Sequence, residues 1–330
     1  MPDGNDDGRD LMTELGIGQV RDDLQQILPP PRPGLLSRMQ HLMFAALLVA
    51  LALALAGPAL AAKRKPVLPV APLVVAPPTP AALALLDAAI ADGRLEDARQ
   101  MMAPMWASGA PQVTLRGAEL ALAAGSLPEA ADGFLGLVDG PLAAAARQGL
   151  GITRLKQGRA AEAKAELEQA VALDPGQPRA WNALAVLADR SRDWAAADAA
   201  YAKAIAAAPG DASLLANRGW SMLMRGHPVA AERDLATALQ MAPGLQSART
   251  NLALARAMQG RYEDAFRLSD KKTLAADLNT VGYAAMARGD LAIAEAYFNR
   301  ALSLNPQFDR VAWDNLQYLA ELKSAARPPQ

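Results

Sequence analysis

The sequence predicts an all-α chain, a solenoid of about seven stacked helical hairpins closed by a C-terminal capping helix and preceded by one apolar segment. Three observations carry the prediction. Pro175, Pro209 and Pro243 recur at an interval of 34 residues, and Ala163, Ala197 and Ala231 keep the same interval, as do Ala170, Ala204 and Ala238. Between these marks the pattern is helical, Ala-rich and broken near the middle, as at Arg192-Asp193. Aromatic residues make up only 5% of the chain, which suits helices packed through small side chains rather than a sheet.

The spacing has a mechanical reason. Pro178 to Asp211 forms the clearest unit: small residues at Ala185, Ala197 and Ala204 let two antiparallel helices approach, while Trp181, Leu184 and Tyr201 fill the space between them. Pro209 then stops the second helix, because it lacks the N–H and clashes with the preceding turn. The flanking units place Leu150, Gly151, Gly158, Ala163, Leu167 and Ala170 on one side, and Gly219, Gly226, Ala231, Leu235 and Ala238 on the other, at matching positions. On these residues the chain resembles the tetratricopeptide-repeat family over roughly three quarters of its length. The resemblance implies hairpins that cannot bury their apolar faces alone and must stack on neighbours.

Read in order, residues 1–38 form a polar arm with one amphipathic stretch, Leu11 to Leu28, ending at Pro29-Pro30-Pro31. Residues 39–62 hold the apolar segment, uncharged from Leu42 to Ala62 and long enough to span a bilayer. Gly57-Pro58 followed by Ala59-Leu60-Ala61 gives it the look of a cleavable export signal. Arg32 and Arg38 flank one side, Lys63, Arg64 and Lys65 the other. Two readings follow: a periplasmic repeat domain, exported or held at the inner membrane through residues 42–62, which the signal-like end favours, and a cytoplasmic one, which charge counting favours. Residues 63–80 are a Pro-rich spacer in extended polyproline conformation.

The solenoid is expected over 81–324: degenerate hairpins in 81–143, regular ones in 144–245, an irregular unit in 246–274, a regular one in 275–308 and a cap in 309–323. In the degenerate part, helices are expected at Leu83 to Ala91, Arg94 to Trp106, Val113 to Ala124 and Pro128 to Val138. Pro243 and Pro306 stand 63 apart, five short of two periods, so a deletion is expected in the second helix of the sixth hairpin, around Leu268 to Leu274.

Reaction chemistry finds little support. With 33 Lys and Arg against 34 Asp and Glu, the net charge of −1 argues against a nucleic-acid partner. The chain has no cysteine, and its two histidines, His41 and His227, lack companions at metal-ligand spacing. The run Gly149 to Gly158 lacks the G-x-x-x-x-G-K-[ST] pattern and the preceding strand of a phosphate loop. No nucleophile, base and orienter set is visible, so no enzyme, cofactor or metal is expected.

What remains is surface. The resemblance implies that first helices line a concave face, where Arg179, Asn182, Asp189, Arg190, Trp220, Met224, Leu254, Met258 and Met286 fall. An asparagine recurs there at Asn182, Asn217, Asn251 and Asn279. Amides donate and accept at once, which suits holding the backbone of an extended peptide, with Trp220 and Tyr283 as apolar contacts. The competing reading is that these asparagines tie adjacent first helices together and that Trp220 and Tyr283 are core. The family's clamp for a C-terminal carboxylate would want a base at 148 and asparagine at 152; Gln148 and Ile152 stand there. Asn251 to Arg267, the irregular unit and the ending ALSLNPQFDRVAWDNL also look like the repeat proteins of tight-adherence (Tad, Flp-type) pilus assembly. That likeness implies an envelope protein assisting a secretin or other pilus components. Those relatives are often lipoproteins, and this chain has no cysteine to acylate.

Overall fold

The computed structural model describes residues 77–269, 271–304 and 310–325. The arm, the apolar segment 42–62, the spacer up to 76 and the tail from Arg327 lie outside the described residues. Among the described residues, fifteen α-helices and no strand are present. They pair in sequence order: α1 (Pro80–Ala91) with α2 (Leu95–Met102), α3 (Pro111–Ala123) with α4 (Leu127–Leu135), and α5 (Ala143–Lys156) with α6 (Ala160–Leu173). Next come α7 (Pro178–Arg190) with α8 (Trp194–Ala207), α9 (Ala212–Met224) with α10 (Pro228–Met241), and α11 (Gln246–Met258) with α12 (Tyr262–Ala265). The last pair is α13 (Leu274–Ala287) with α14 (Leu291–Leu304), and α15 (Arg310–Ala325) follows.

Local chemistry starts and stops these helices. Proline occupies the first turn of α1, α3, α7 and α10, where its missing N–H costs nothing. Asp193 caps α8 by accepting from the Ala196 amide at 3.1 Å, and Asp211 caps α9 through Ser213 at 2.9 Å. First helices end on a left-handed residue, glycine at Gly93, Gly125, Gly158, Gly226, Gly260 and Gly289. The fourth hairpin breaks the rule, with Arg192 at φ 58°. Because a side chain pays for that conformation and glycine does not, Arg192→Gly is expected to raise stability by about 1 kcal/mol in chemical denaturation.

Within a hairpin the two helices approach closely. A Cβ on Gly151 would lie 2.6 Å from Leu167 Cγ, so the first and second helices meet there with no room for a side chain. One apolar core runs from Leu115 in α3 through Leu150, Leu167, Ala183, Trp220 and Leu252 to Ala284 in α13. The first hairpin has its own cluster around Leu86, Ala98 and Met102.

Two departures from regularity have physical causes. The helix expected from Arg94 to Trp106 stops at Met102 and continues as a 3-10 turn over Ala103–Ser108. Pro104 cannot donate its i→i−4 bond, which forces the tighter winding. In the sixth hairpin α12 is only four residues long. Tyr262, which opens this short helix, and Phe266, which caps it, pack edge-on against Tyr297 of α14 at 6.1 and 5.3 Å between ring centres. Arg288 closes the junction by donating to the Met258 carbonyl at 2.9 Å.

Candidate functional site

Polar contacts tie some neighbouring helices of the array together: α5 to α7 and α7 to α9 through buried groups, and α13 to the capping helix α15 through a part-buried pair. The Gln148 side chain of α5 accepts from the Ala180 amide in the first turn of α7 at 2.9 Å, serving as a cap supplied by the neighbouring repeat. Asn217 of α9 donates to the Asn182 amide oxygen of α7 at 3.0 Å. Asn315 of α15 donates to Asn279 of α13 at 2.9 Å. Asn182 and Asn217 are both 0% exposed, and the Asn182 Nδ2 and Asn217 Oδ1 atoms have no partner. A ligand reaching either amide would first have to part the pair. Asn251 is buried as well, while Asn279 is half-buried.

A second buried node joins three helices. Asp189 of α7 accepts from the Tyr201 hydroxyl of α8 at 2.8 Å and from the Ser221 hydroxyl of α9 at 2.7 Å. Burial pushes the Asp189 carboxyl above its usual range, against the opposing pull of those two hydroxyls and of Arg225. Tyr201 is fully buried, and burial followed by the adjacent Asp189 holds its phenol well above its ordinary value.

Arg179 lies 3.6 Å from Glu119 of α3, reaching across α5. Burial raises the Glu119 carboxyl, and Arg179 pulls it back. Beside them Arg116 pairs with Asp87 of α1 at 2.6 Å. Trp220 is buried with its indole N–H unpartnered, and Tyr283 is half-buried near Tyr318, which adds to burial in raising its phenol pKa. The seven residues singled out from the sequence therefore occupy three settings: Arg179 in a charged contact, Asn182, Asn217 and Asn279 in ties between first helices, and Trp220 and Tyr283 along one side of α9 and α13, with Asn251 buried between.

Sequence reasoning passed over Gln148 as a contact between repeats, because only the absent clamp was sought there. It also passed over Asn315, whose signal was available: Asn217, Asn251, Asn279 and Asn315 are each the sixth residue of their helix. Among the described residues no group of three or more His, Asp and Glu side chains could hold a metal, and His227 is exposed. No helix among them is long and apolar enough to cross a membrane.

Two stretches of the chain, 144–187 and 278–308, match family models described as tetratricopeptide repeat. No curated protein matches the chain. Among solved structures, the Cut9–Hcn1 hetero-tetramer of the APC/C is similar at a TM-score of 0.56 and 16% identity over 71% of this chain. The chain spans about half, 48%, of the length of that match. A tetratricopeptide repeat protein from Parabacteroides merdae matches at 0.47 and 15% identity, covering 73% of this chain and 98% of its own. Pseudomonas aeruginosa pilF matches at 0.41 and 23%, covering 55% and 84%. The first of these shows a shared fold and nothing beyond it. The two matched stretches, together with hairpins stacked in sequence order, support placing the helical array in the tetratricopeptide-repeat family.

Proposed function

We propose that the chain is a non-enzymatic scaffold that binds protein or peptide partners on the exposed side of its first helices. The observation that carries this reading is the division of labour among polar groups. Those on the array are spent tying helices together, in Gln148, Asn182–Asn217, Asn279–Asn315 and Asp189–Tyr201–Ser221. The side chains left along the surface offer contact: half-buried Arg179 and Tyr283 among those expected from the sequence, whereas Trp220 is packed in the core. In this reading the asparagines keep the first helices at fixed spacing, and the partner meets the residues displayed one and two turns further along.

The setting we infer is the bacterial envelope, with the array attached to or exported across the inner membrane through residues 42–62. The sequence likeness to tight-adherence pilus repeat proteins supports a role in assembling such a pilus or a secretion apparatus. The second reading, an inner-membrane adaptor facing the cytoplasm, rests on Lys63, Arg64 and Lys65 beside the apolar segment. An export reporter fused after Pro80 separates them: activity outside the cytoplasm is expected, and an inactive fusion overturns the envelope assignment. Crosslinking and affinity capture from the native organism test the scaffold itself. Specific retention of envelope proteins is expected, and retention of none counts against it.

A further inference from the structure

Each first helix ends on a left-handed residue, which puts the seven hairpins in register. The residue twelve places before that turn is Val113, Ala146, Ala180, Leu214, Ala248 and Asp277 in the later six, and all are buried. These places meet the hairpin before. The Ala180 amide bonds to Gln148 of α5, and Ser221, two turns beyond Leu214, bonds to Asp189 of α7. In α1 the same place holds Ala81, which is exposed. Leu85, one turn on, is 64% exposed, more than any other large apolar side chain among the described residues. Pro80, Ala84, Ala88 and Ala91 complete an open face with no polar side chain. The far end of the array is finished differently. There α15 turns Arg310, Asp314, Gln317 and Glu321 to solvent, the polar outer face that a terminal repeat needs for solubility. The face of α1 is a joint between hairpins with nothing on it among the described residues.

We propose that the chain covers this joint itself, with residues 66–76 packed on α1 as an N-terminal cap. Only Pro77 to Thr79 separate that segment from the helix. Its local concentration at the face is therefore on the order of millimolar, which a separate partner would have to match from solution. The chemistry fits as well. From Pro66 to Leu86 the chain holds no charged residue, and Pro66, Pro69 and Pro72 recur at the three-residue period of a polyproline helix. That winding sets Val67, Val70 and Leu73 along one edge. A solvated spacer has no use for such a ridge, and Ala81, Leu85 and Ala88 offer it an apolar seat. The reach is sufficient. Eleven residues at about 3.1 Å extend roughly 34 Å, against about 18 Å for α1, so the segment still covers the helix after turning back. A bilayer suits the face less well. Membrane surfaces take large apolar side chains rimmed by Lys and Arg, whereas this face is mostly alanine and the one charged residue of α1 is acidic, Asp87. The cap depends neither on what the array binds nor on which side of a membrane it stands. It does shorten the tether: residues 63–80 would span roughly 55 Å when extended, and folded back they hold α1 near the end of the apolar segment.

The test uses the full-length chain in lipid nanodiscs, where the lack of native cysteine makes any introduced thiol unique. In Ala88→Cys the thiol should react with a maleimide at least tenfold more slowly than in the same chain carrying Val67→Glu, Val70→Glu and Leu73→Glu. Ala296→Cys, on the exposed side of α14, should react equally fast in both backgrounds. A benzophenone carried on the Ala88→Cys thiol should photo-crosslink within one chain, to residues 66–76, as mapped by mass spectrometry. That crosslink is read with the native segment in place, so it decides the matter even where the glutamates loosen α1. Equal maleimide rates at Ala88→Cys in the two backgrounds overturn the cap. So do crosslinks that run to lipid or to a second copy, or that never reach residues 66–76. None of these outcomes bears on the scaffold reading, which affinity capture tests separately.

Discussion

Asp189→Ala is expected to cost about 2–3 kcal/mol of stability, whereas Asp189→Asn should leave the protein at least as stable at pH 7. The two substitutions separate the hydrogen bonds from the charge. In the alanine variant the Tyr201 hydroxyl, on a side chain with no exposure, loses its acceptor at 2.8 Å. An orphaned buried hydroxyl costs on the order of 1–3 kcal/mol. Ser221 suffers less, since a helical serine can turn to a carbonyl one turn back. The removed carboxylate also leaves a void between α7, α8 and α9. Asparagine keeps an acceptor for one hydroxyl and offers a donor to the other. It also relieves the cost of a buried charge, which burial signals by holding the Asp189 carboxyl above its usual range.

The sign of the pH dependence follows. A carboxyl whose folded pKa exceeds its unfolded value binds its proton more tightly in the folded state. Its contribution is therefore fully present below the unfolded pKa of about 3.9 and is lost as pH rises through the folded value. The advantage of Asp189→Asn over the native chain should be largest near neutrality and should shrink as pH falls through that window toward the unfolded value. Denaturant titrations at pH 7 and at pH 4 measure it. A loss above about 2 kcal/mol for the asparagine variant at pH 7 would mean that the charge itself, with Arg225 nearby, holds the three helices together.

How much of this was legible beforehand depends on whether a feature repeats. Ala163, Ala197 and Ala231, and the prolines at 175, 209 and 243, announce themselves by interval, because each solves the same packing problem in successive hairpins. The shortfall between Pro243 and Pro306 was visible for the same reason, and the structure has one turn at α12. The Asp189 node was not legible, since its members lie 12 and 32 residues apart and occur once. The asparagines were legible as a series but not in their employment. Spacing places Asn182 and Asn217 on corresponding sides of their helices, yet it cannot tell an amide facing a ligand from one facing the next helix. That distinction turns on a single 3.0 Å contact. The end of α2 at Met102 depends on Pro104, a proline with no counterpart at that place in the other hairpins, so the repeat interval does not mark it.

Gly149→Ala is expected to destabilise the chain by about 1 kcal/mol, although alanine is the better helix former by about 1 kcal/mol. The glycine lies inside α5 at a crossing with α4, and a Cβ there would fall 2.3 Å from two ring carbons of Phe134 and 2.7 Å from a third. Phe134 has no exposure and packs among Leu150, Ala130 and Ala146, so its ring has no open side to retreat into. Overpacking of this kind typically costs 1–3 kcal/mol and here must exceed the helix gain. The collision assigns a rescue. Phe134→Leu alone should also destabilise, by leaving unfilled volume, but it removes the ring edge that meets the new methyl. The double variant should therefore be more stable than the sum of the single losses predicts, by at least about 1 kcal/mol in a double-mutant cycle. Gly158 supplies the contrast. Its φ of 77° demands glycine although nothing lies within 4 Å of a Cβ there, so a loss in Gly158→Ala has no partner whose trimming could restore it. Additive losses at Gly149 and Phe134 would show that α4 and α5 can shift apart, and that the close approach of neighbouring hairpins is not what fixes the spacing of the array.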